Sequence, residues 1–426
     1  MQPIASRRAA SRLVALLLIV LPLSAPAQVP EHLSLAEALD VASQQSPTLL
    51  AERLRAEEAR GALVEARALA PANPWLSVAG APWIATADGG ELPWEFEVEQ
   101  RLEVPGLRAA RISAASADLG GAQAGALDVE RVLLSAVAAA YYDAVGAAER
   151  ASIATEDEIL AASVLAIARV RVERGADAPI ALGVARIRHA EAGRAALAAN
   201  AEQRASVLRL AALLGLSADD IVLSSALPSA PTISLDSEVL FTRALERRPD
   251  LRALDRALEA ADAELKLARR QSLPGLTAGA RYEALDGEGV ALALVGVEVP
   301  FFRWNQGDRI AASAHLQRLR EERAALVFSI EAEVRTAWLR WEAAAESVAL
   351  YDETVVTAMD ENLGLLTTMF DAGKVGYGDV ATFQRERLAG ALGFVEARMA
   401  LAHSEVALLS AAGAPLVTDT QNGGAQ

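Results

Sequence analysis

The sequence predicts a mainly α-helical protein with a membrane β-barrel portion, built as a tandem repeat of helices, a strand pair and a long helical hairpin. Three observations predict this class. Landmark residues recur in the same order in both halves, long stretches after Pro105 and Pro300 contain no proline, and the segments before them alternate apolar and polar residues. Proline-free, alanine-rich stretches favour helices, whereas alternation at period two favours strands.

Residues 1–27 are predicted to be a cleaved secretory signal. Three arginines, Arg7, Arg8 and Arg12, precede an apolar run from Leu13 to Leu23. The small residues Ala25-Pro26-Ala27 follow this run and supply a cleavage site. This order is typical of export signals. The apolar run is shorter than the roughly 20 residues that a transmembrane helix needs, so a retained anchor is not expected.

Charge and cysteine content exclude several classes of partner. The 426-residue chain has a formal net charge of -16, and removal of the signal takes away three arginines and no acidic residue. Nucleic acid is not expected as a partner, because its binding depends on clustered Lys and Arg that neutralise phosphates. The chain has no cysteine, which excludes disulfides, Cys-ligated metal and a lipid on an N-terminal cysteine.

Two repeats are predicted, residues 28–232 and 233–415, followed by a flexible tail at 416–426. Ser46-Pro47-Thr48-Leu49 corresponds to Arg248-Pro249-Asp250-Leu251, and Gly175 corresponds to Gly373. In each repeat, short helices flank Pro47 or Pro249, because proline suits a first helical turn. A strand pair comes next, at about 74–103 and about 275–299.

A long helical hairpin is predicted after each strand pair. The segment from about Leu107 to Glu173 would be one helix roughly 100 Å long at 1.5 Å per residue, and the segment from about Gly307 to Asp371 its counterpart. Glycine just past a helix end favours a reversal, so the two tips are placed near Gly175 and near Gly373. Returning helices are expected at about 180–214 and 377–412.

The strand pairs carry the expected pattern of membrane strands. Between Pro93 and Glu103, Trp94, Phe96, Val98 and Leu102 share one face, while Glu95, Glu97, Glu99 and Arg101 share the other. Arg281 and Glu283 continue the polar face in the second repeat, opposite Tyr282. Such alternation over about 9 to 11 residues matches a tilted transmembrane strand, apolar towards lipid and polar towards a lumen. The facing of the partner strands, about 75–81 and 290–299, stays open.

Aromatic residues cluster in or beside the strand pairs, as expected at membrane interfaces. A soluble hairpin packed on helices is the alternative explanation. Four strands cannot close a barrel, and an open edge in lipid leaves backbone groups unsatisfied, so membrane strands would require several copies of the chain. The aromatic residues concerned are Trp75, Trp83, Trp94, Tyr282, Phe301, Phe302 and Trp304.

Several motifs resemble the TolC-like outer-membrane efflux family. Leu35-Ala36-Glu37-Ala38-Leu39 with Ser46-Pro47 is similar to the opening of that family, and Phe370-x-x-Gly373 followed by Asp379-Val380 to its helical reversal. Val299-Pro300-Phe301-Phe302 and Asn305-Gln306-Gly307 resemble the cobalt-zinc-cadmium efflux subgroup. Val104-Pro105-Gly106-Leu107-Arg108 does so too, although Leu107 stands where Lys is more usual.

This resemblance implies a homotrimer with a twelve-stranded barrel in the outer membrane of a Gram-negative envelope and a twelve-helix tunnel in the periplasm. It implies contact with outer-membrane lipid, and docking through a periplasmic adaptor to an inner-membrane RND-type pump that supplies the energy. The chain itself would be a passive conduit for export. Heavy-metal cations are the favoured cargo, while drug efflux, type I secretion and a soluble periplasmic scaffold stay open.

The resemblance also implies a set of site residues at the helical tips, where the adaptor would dock and ionic contacts would close the mouth. Solvated turn residues are the alternative explanation. The polar strand residues named above would line the lumen and favour cations, or merely keep it wet. The tip residues are Arg174, Gly175, Asp177, Gly373, Lys374 and Asp379.

Catalysis, cofactors and a resident metal are not expected. The sequence has no Gly-x-Ser-x-Gly, His-Glu-x-x-His or Walker motif. Its four histidines show no i, i+3 or i, i+4 spacing that would form a local metal site.

Overall fold

The computed structural model describes residues 32–80, 94–285, 288–351 and 353–416. The predicted signal, Trp83 and all of the predicted tail beyond residue 416 lie outside these ranges. Nine α-helices and four strands occur in the described part of the chain. Their bounds are α1 Leu35–Gln45, α2 Pro47–Ala66, β1 Trp75–Gly80, β2 Trp94–Leu102, α3 Leu107–Glu173, α4 Pro179–Leu214, α5 Ser237–Arg247, α6 Pro249–Arg270, β3 Gly275–Leu285, β4 Glu288–Glu298, α7 Gln306–Ala349, α8 Glu353–Asp371 and α9 Tyr377–Ala411.

Local signals explain where several helices begin. Ser34 caps α1 in a capping box, because the Glu37 amide donates to Ser34 Oγ and the Ser34 amide donates to Glu37 Oε2. Pro47, Pro179 and Pro249 each occupy the first turn of a helix, where no amide hydrogen is needed. The predicted first long helix, Leu107–Glu173, is present as α3 with 67 residues.

The second long helix differs from the prediction. Residues 307–371 were expected to form one helix, but α7 ends at Ala349 and α8 begins at Glu353. Tyr351 packs its ring against Phe394 of α9, with centroids 5.5 Å apart. A cross-helix aromatic contact therefore accompanies the break, and neither proline nor glycine marks this site in the sequence.

The four strands form one antiparallel sheet in the order β1-β2-β3-β4. The central pairing joins the two halves of the chain, with Leu102 opposite Leu276 and Trp94 opposite Ala284. β1 and β4 are therefore the edges of the sheet. No helix in the described ranges has the length and apolar character needed to cross a membrane.

The helices pack side by side, with α3 between α4 and α9 and with α7 and α8 against α9. The main core lies beside the first described residues of the chain. In this core the buried Tyr141 hydroxyl donates to the Leu33 carbonyl at 2.9 Å and accepts from the Ser225 amide at 3.1 Å. Tyr141 thereby fixes both the start of the described chain and the connector between the halves. A smaller core closes the tips, built from Val164, Ala168, Ala185, Phe370, Tyr377 and Val380.

Candidate functional site

The two helical tips have the same backbone geometry. Gly175 and Gly373 have φ angles of +73° and +72°, in the left-handed region that favours glycine. At the first tip the Ala176 amide donates to the Arg171 carbonyl at 2.8 Å; at the second, the Lys374 amide donates to the Met369 carbonyl at 2.9 Å. Both reversals are thus helix ends closed by a glycine in the same way, with a six-to-one hydrogen bond.

Arg171 connects the first tip to the second. Its Nε donates to Asp177 Oδ2 at 2.7 Å and its Nη2 to Asp177 Oδ1 at 2.9 Å. Its Nη1 reaches the Phe370 carbonyl of α8 at 2.6 Å, and its Cζ lies 4.8 Å from the centroid of the Phe370 ring. One guanidinium therefore ties together α3, the reversal after it and the end of α8.

The predicted tip residues differ in what they contact. Asp177 pairs with Arg171 of its own hairpin. The hydrogen bonds from Arg171 lower the pKa of Asp177, outweighing the effect of burial. Asp379 Oδ2 accepts from the Gly376 amide at 3.1 Å and so caps α9. Arg174 and Lys374 are exposed.

Sequence reasoning missed Arg171, which is the residue that contacts both hairpins. The pairing of Arg171 with Asp177 could have been predicted, because the two residues are six apart and flank Gly175. A reversal at a glycine brings residues on its two sides together. Its contact with Phe370 depends on the packing of α8, and the local sequence carries no sign of that packing.

A second buried ion pair stiffens the first hairpin. Asp157 of α3 is buried, and both of its carboxylate oxygens lie 2.7 Å from Nη2 of Arg188 in α4. Because removal of either partner would leave an uncompensated buried charge, this pair fixes α4 against α3.

The polar face of the sheet brings together four of the predicted lumen residues. Arg281 lies opposite Glu97 in the register of β2 and β3, and Glu283 lies opposite Glu95. The guanidinium contacts all three carboxylates: Nε is 2.9 Å from Glu95, Nη2 is 2.8 Å from Glu97 and Nη1 is 3.3 Å from Glu283. Arg101 pairs instead with Glu298 of β4 at 3.2 Å.

The register settles the facing of the edge strands. Trp75 lies opposite Glu99, so it shares the carboxylate face and not the apolar face of Trp94. The alternation was unreadable in β1 because its sequence, Trp-Leu-Ser-Val-Ala-Gly, has only one polar residue. On β4, Val290, Leu292 and Leu294 also share the carboxylate face.

Aromatic side chains lie at both ends of the sheet. Trp94 and Tyr282 meet at the end far from the helices, with ring centroids 5.2 Å apart. Phe301 and Phe302 follow β4 at the helix end and are 81% and 91% exposed. Trp304 lies beside them, with the Arg309 guanidinium 5.4 Å from its ring centroid.

No metal site is evident in the described structure. Across those residues, no three His, Cys, Asp or Glu side chains are arranged to hold a metal ion. His403 Nε2 instead lies 3.0 Å from Asp143 Oδ1, and the hydrogen bond with His403 lowers the pKa of Asp143 despite its burial.

The chain is similar to proteins of outer-membrane efflux and heavy-metal resistance. Residues 240–414 match the profile of the family described as outer membrane efflux protein. The chain is 25% identical over 366 residues to the cobalt-zinc-cadmium resistance protein CzcC of Cupriavidus metallidurans, covering 84% of this chain and 85% of CzcC. It is 26% identical over 318 residues to the nickel-cobalt-cadmium resistance protein NccC of Alcaligenes xylosoxydans xylosoxydans, covering 74% and 70%.

Solved structures share the fold. CusC superimposes with a TM-score of 0.74 at 19% identity, covering 89% of this chain and 92% of that one. The outer membrane protein VceC of Vibrio cholerae gives a TM-score of 0.72 at 18% identity, covering 90% and 97%. The resemblance found in the sequence is thereby confirmed. Residues 240–414 match the outer membrane efflux protein family, and the chain is similar to heavy-metal efflux proteins over most of its length; it is an efflux channel of the outer membrane that extends into the periplasm.

Proposed function

We propose that three copies of the chain assemble into one channel, with a twelve-stranded barrel in the outer membrane and a twelve-helix tunnel in the periplasm. The observation that carries this proposal is the open sheet, in which β1 and β4 are edge strands. Unpaired backbone groups cost several kcal/mol each in hydrocarbon. Pairing of β4 in one copy with β1 in the next removes every edge.

The helical part supports the same assembly. α4 packs on α3 with one face, and its other face exposes Ile180, Val184 and Ile187, spaced four and three residues apart. Spacing of this kind places the three side chains in one stripe. On the opposite edge of the helical layer, α7 exposes Phe328 and Leu339. Contact between these two edges would bury both apolar surfaces.

The proposed cargo is heavy-metal cations, conducted passively. CzcC and NccC are named for resistance to cobalt, zinc, cadmium and nickel. The polar face of the sheet carries more acidic than basic side chains, and such a lumen attracts cations. An inner-membrane RND-type pump would supply the energy, and a periplasmic adaptor would dock at the exposed tip residues Arg174, Lys374 and Asp379.

The proposed mouth is closed by the contacts of Arg171. Because Arg171 holds Asp177 and the end of α8 at once, both hairpin tips would move together when these contacts break. The two-repeat division, 28–232 and 233–415, belongs to this proposal. It is supported by the order of two helices, two strands and a helical hairpin in each half, although the first arm of the second hairpin is divided into α7 and α8.

Cross-linking tests the assembly. The chain has no cysteine, so introduced cysteines are unique. Val78→Cys on β1 combined with Val295→Cys on β4 places one thiol on each edge strand, and a flexible bis-maleimide in outer-membrane fractions is expected to give a covalent trimer. The control, Val78→Cys with Ala280→Cys of the internal strand β3, should give none. A monomer in the soluble periplasmic fraction would contradict the proposal and support a scaffold.

Growth assays test the cargo. Deletion of the gene is expected to lower the tolerated concentrations of cobalt, zinc and cadmium, with restoration by the wild-type chain. Sensitivity to drugs with unchanged metal tolerance would assign the channel to drug efflux. Loss of a secreted protein would assign it to type I secretion.

A further inference from the structure

Arg281 is the one guanidinium in the described strands that contacts three carboxylates. Its three nitrogens lie 2.8 to 3.3 Å from Glu95, Glu97 and Glu283. On its other side, Leu292 of β4 lies directly opposite and offers no polar side-chain atom. The guanidinium is therefore turned towards β2, where its rigid fork of donors bridges carboxylates from two strands.

Removal of this charge would leave acidic groups facing one another. Glu95 and Glu283 are direct cross-strand neighbours, and Glu97 follows Glu95 on the same face. Like charges in such positions repel. Carboxylate oxygens are also the ligands that divalent cations seek, so three of them around one point would hold a cation in place of the guanidinium.

The whole polar face shows why the position of this arginine matters. In the described strands of each copy, six carboxylates lie on that face, against the two guanidiniums of Arg101 and Arg281. A channel with such a wall attracts cations, but conduction also requires that each cation leave quickly. The carboxylates are Glu95, Glu97, Glu99, Glu283, Glu288 and Glu298.

We propose that Arg281 is a specificity-determining residue of the lumen: it stands where Glu95, Glu97 and Glu283 would otherwise hold a divalent cation. The guanidinium is a fixed counterion that cannot exchange with the passing ions. Cations are thereby attracted by the acidic wall without being trapped on it. This role rests on the proposed function, since it concerns ions that cross the channel.

The test compares two arginine substitutions on the same face. Arg281→Gln uncovers three carboxylates, whereas the control Arg101→Gln removes an equal charge from an arginine that pairs with Glu298 alone. Cd²⁺ is titrated calorimetrically into the full-length protein in detergent. Arg281→Gln is expected to bind Cd²⁺ at least about tenfold more tightly than either Arg101→Gln or the wild type, because it alone gains an oxygen cage. Equal affinities in Arg281→Gln and Arg101→Gln would overturn the proposal.

A second variant covers the case in which Arg281→Gln does not assemble. Arg281→Gln with Glu283→Gln removes the facing Glu95 and Glu283 repulsion and keeps Glu95 and Glu97, so it too should bind Cd²⁺ more tightly than the wild type. Failure to do so would overturn the role of Arg281.

Block of single channels by Cd²⁺ in planar bilayers provides the second readout. The half-blocking concentration should fall further for Arg281→Gln than for Arg101→Gln, which removes the same charge from the lumen without uncovering three carboxylates. The two readouts separate the two proposals. If the wild-type protein forms no channel, the proposed function is refuted. Calorimetry needs no pore, so a gain in Cd²⁺ affinity would still report on Arg281.

Discussion

At the scale of single residues, Arg171 connects the two helical tips through contacts with residues that are distant in the sequence. The sequence pointed to the tips through Gly175 and Gly373, whose need for left-handed backbone is local and readable. It also placed Asp177 and Asp379 there. The partner of Asp177 was not readable, because Arg171 acquires its importance from the carbonyl of Phe370, which lies almost 200 residues away in the chain and is exposed to Arg171 only by packing.

Replacement of Arg171 is expected to loosen the mouth. In Arg171→Ala, α8 loses the hydrogen bond and the cation–π contact that Arg171 makes with Phe370, so the mean single-channel conductance in planar bilayers should rise by about twofold or more, since the population of the closed mouth falls with its contacts. Arg174→Ala is the matched control, because Arg174 is the exposed arginine of the same tip. Equal conductance in Arg171→Ala and the wild type would remove Arg171 from the gate.

Acid should open the same contact. Hydrogen bonds from Arg171 lower the pKa of Asp177 in the folded protein. Such a carboxylate contributes stability above its unfolded pKa, about 3.9 for Asp, and this contribution is lost as the pH falls through the lower, folded pKa. Conductance should therefore be unaffected by this pair between pH 7 and pH 5, and rise below about pH 4. Asp177→Asn should lack that part of the rise; identical pH curves for Asp177→Asn and the wild type would contradict the prediction.

At the scale of elements, the helices and strands were predictable wherever proline, glycine or alternation marked them. α3 occupies the residues expected for it, and β2 and β3 show the face-by-face alternation read from their residues. The break between α7 and α8 was not predictable, because neither proline nor glycine marks it and the contact of Tyr351 with Phe394 of α9 depends on packing. The faces of β1 and β4 could be assigned only from their pairing with β2 and β3. The two edge strands contain too few polar residues for the alternation to be visible in their sequences.

The two tip glycines should respond differently to the same substitution. Gly175→Ala and Gly373→Ala each force alanine into left-handed backbone, at a cost of about 1–2 kcal/mol. A Cβ at Gly175 meets no atom within 4 Å, whereas at Gly373 it lies 3.2 Å from Arg171 Nη1. Gly373→Ala should therefore also displace Arg171 and speed amide hydrogen exchange at both tips, while Gly175→Ala affects the first tip alone.

The control for this pair is Gly61→Ala in α2. Gly61 is helical and a Cβ there meets nothing within 4 Å, so alanine should stabilise the helix by roughly 0.5–1 kcal/mol. Hydrogen exchange at the tips should not change in this variant. Equal effects of Gly175→Ala and Gly373→Ala would contradict the coupling of the tips through Arg171.

At the scale of the whole molecule, the sheet and the helical layer of the described chain each have two unpaired edges. The sheet ends at β1 and β4, and the helical layer ends at α4 and at α7 with α8. The strand pairs and the acidic face were predictable because their pattern is local. Which helices form the edges was not, because it depends on α3 packing between α4 and α9.

Charge on the exposed stripe of α4 should prevent assembly. Ile187 of α4 is 62% exposed and Ile159 of the central helix α3 is 66% exposed, so the two isoleucines differ mainly in whether their helix lies at an edge. Burial of an isoleucine between copies contributes about 1.5–3 kcal/mol, and a glutamate there would add the cost of desolvating a charge. Ile187→Glu is therefore expected to abolish the heat-sensitive trimer band on gels of outer-membrane fractions, whereas Ile159→Glu keeps it. Loss of the trimer in both variants would mean that exposed charge on any helix disrupts folding, and survival of the trimer in both would show that α4 does not lie between copies.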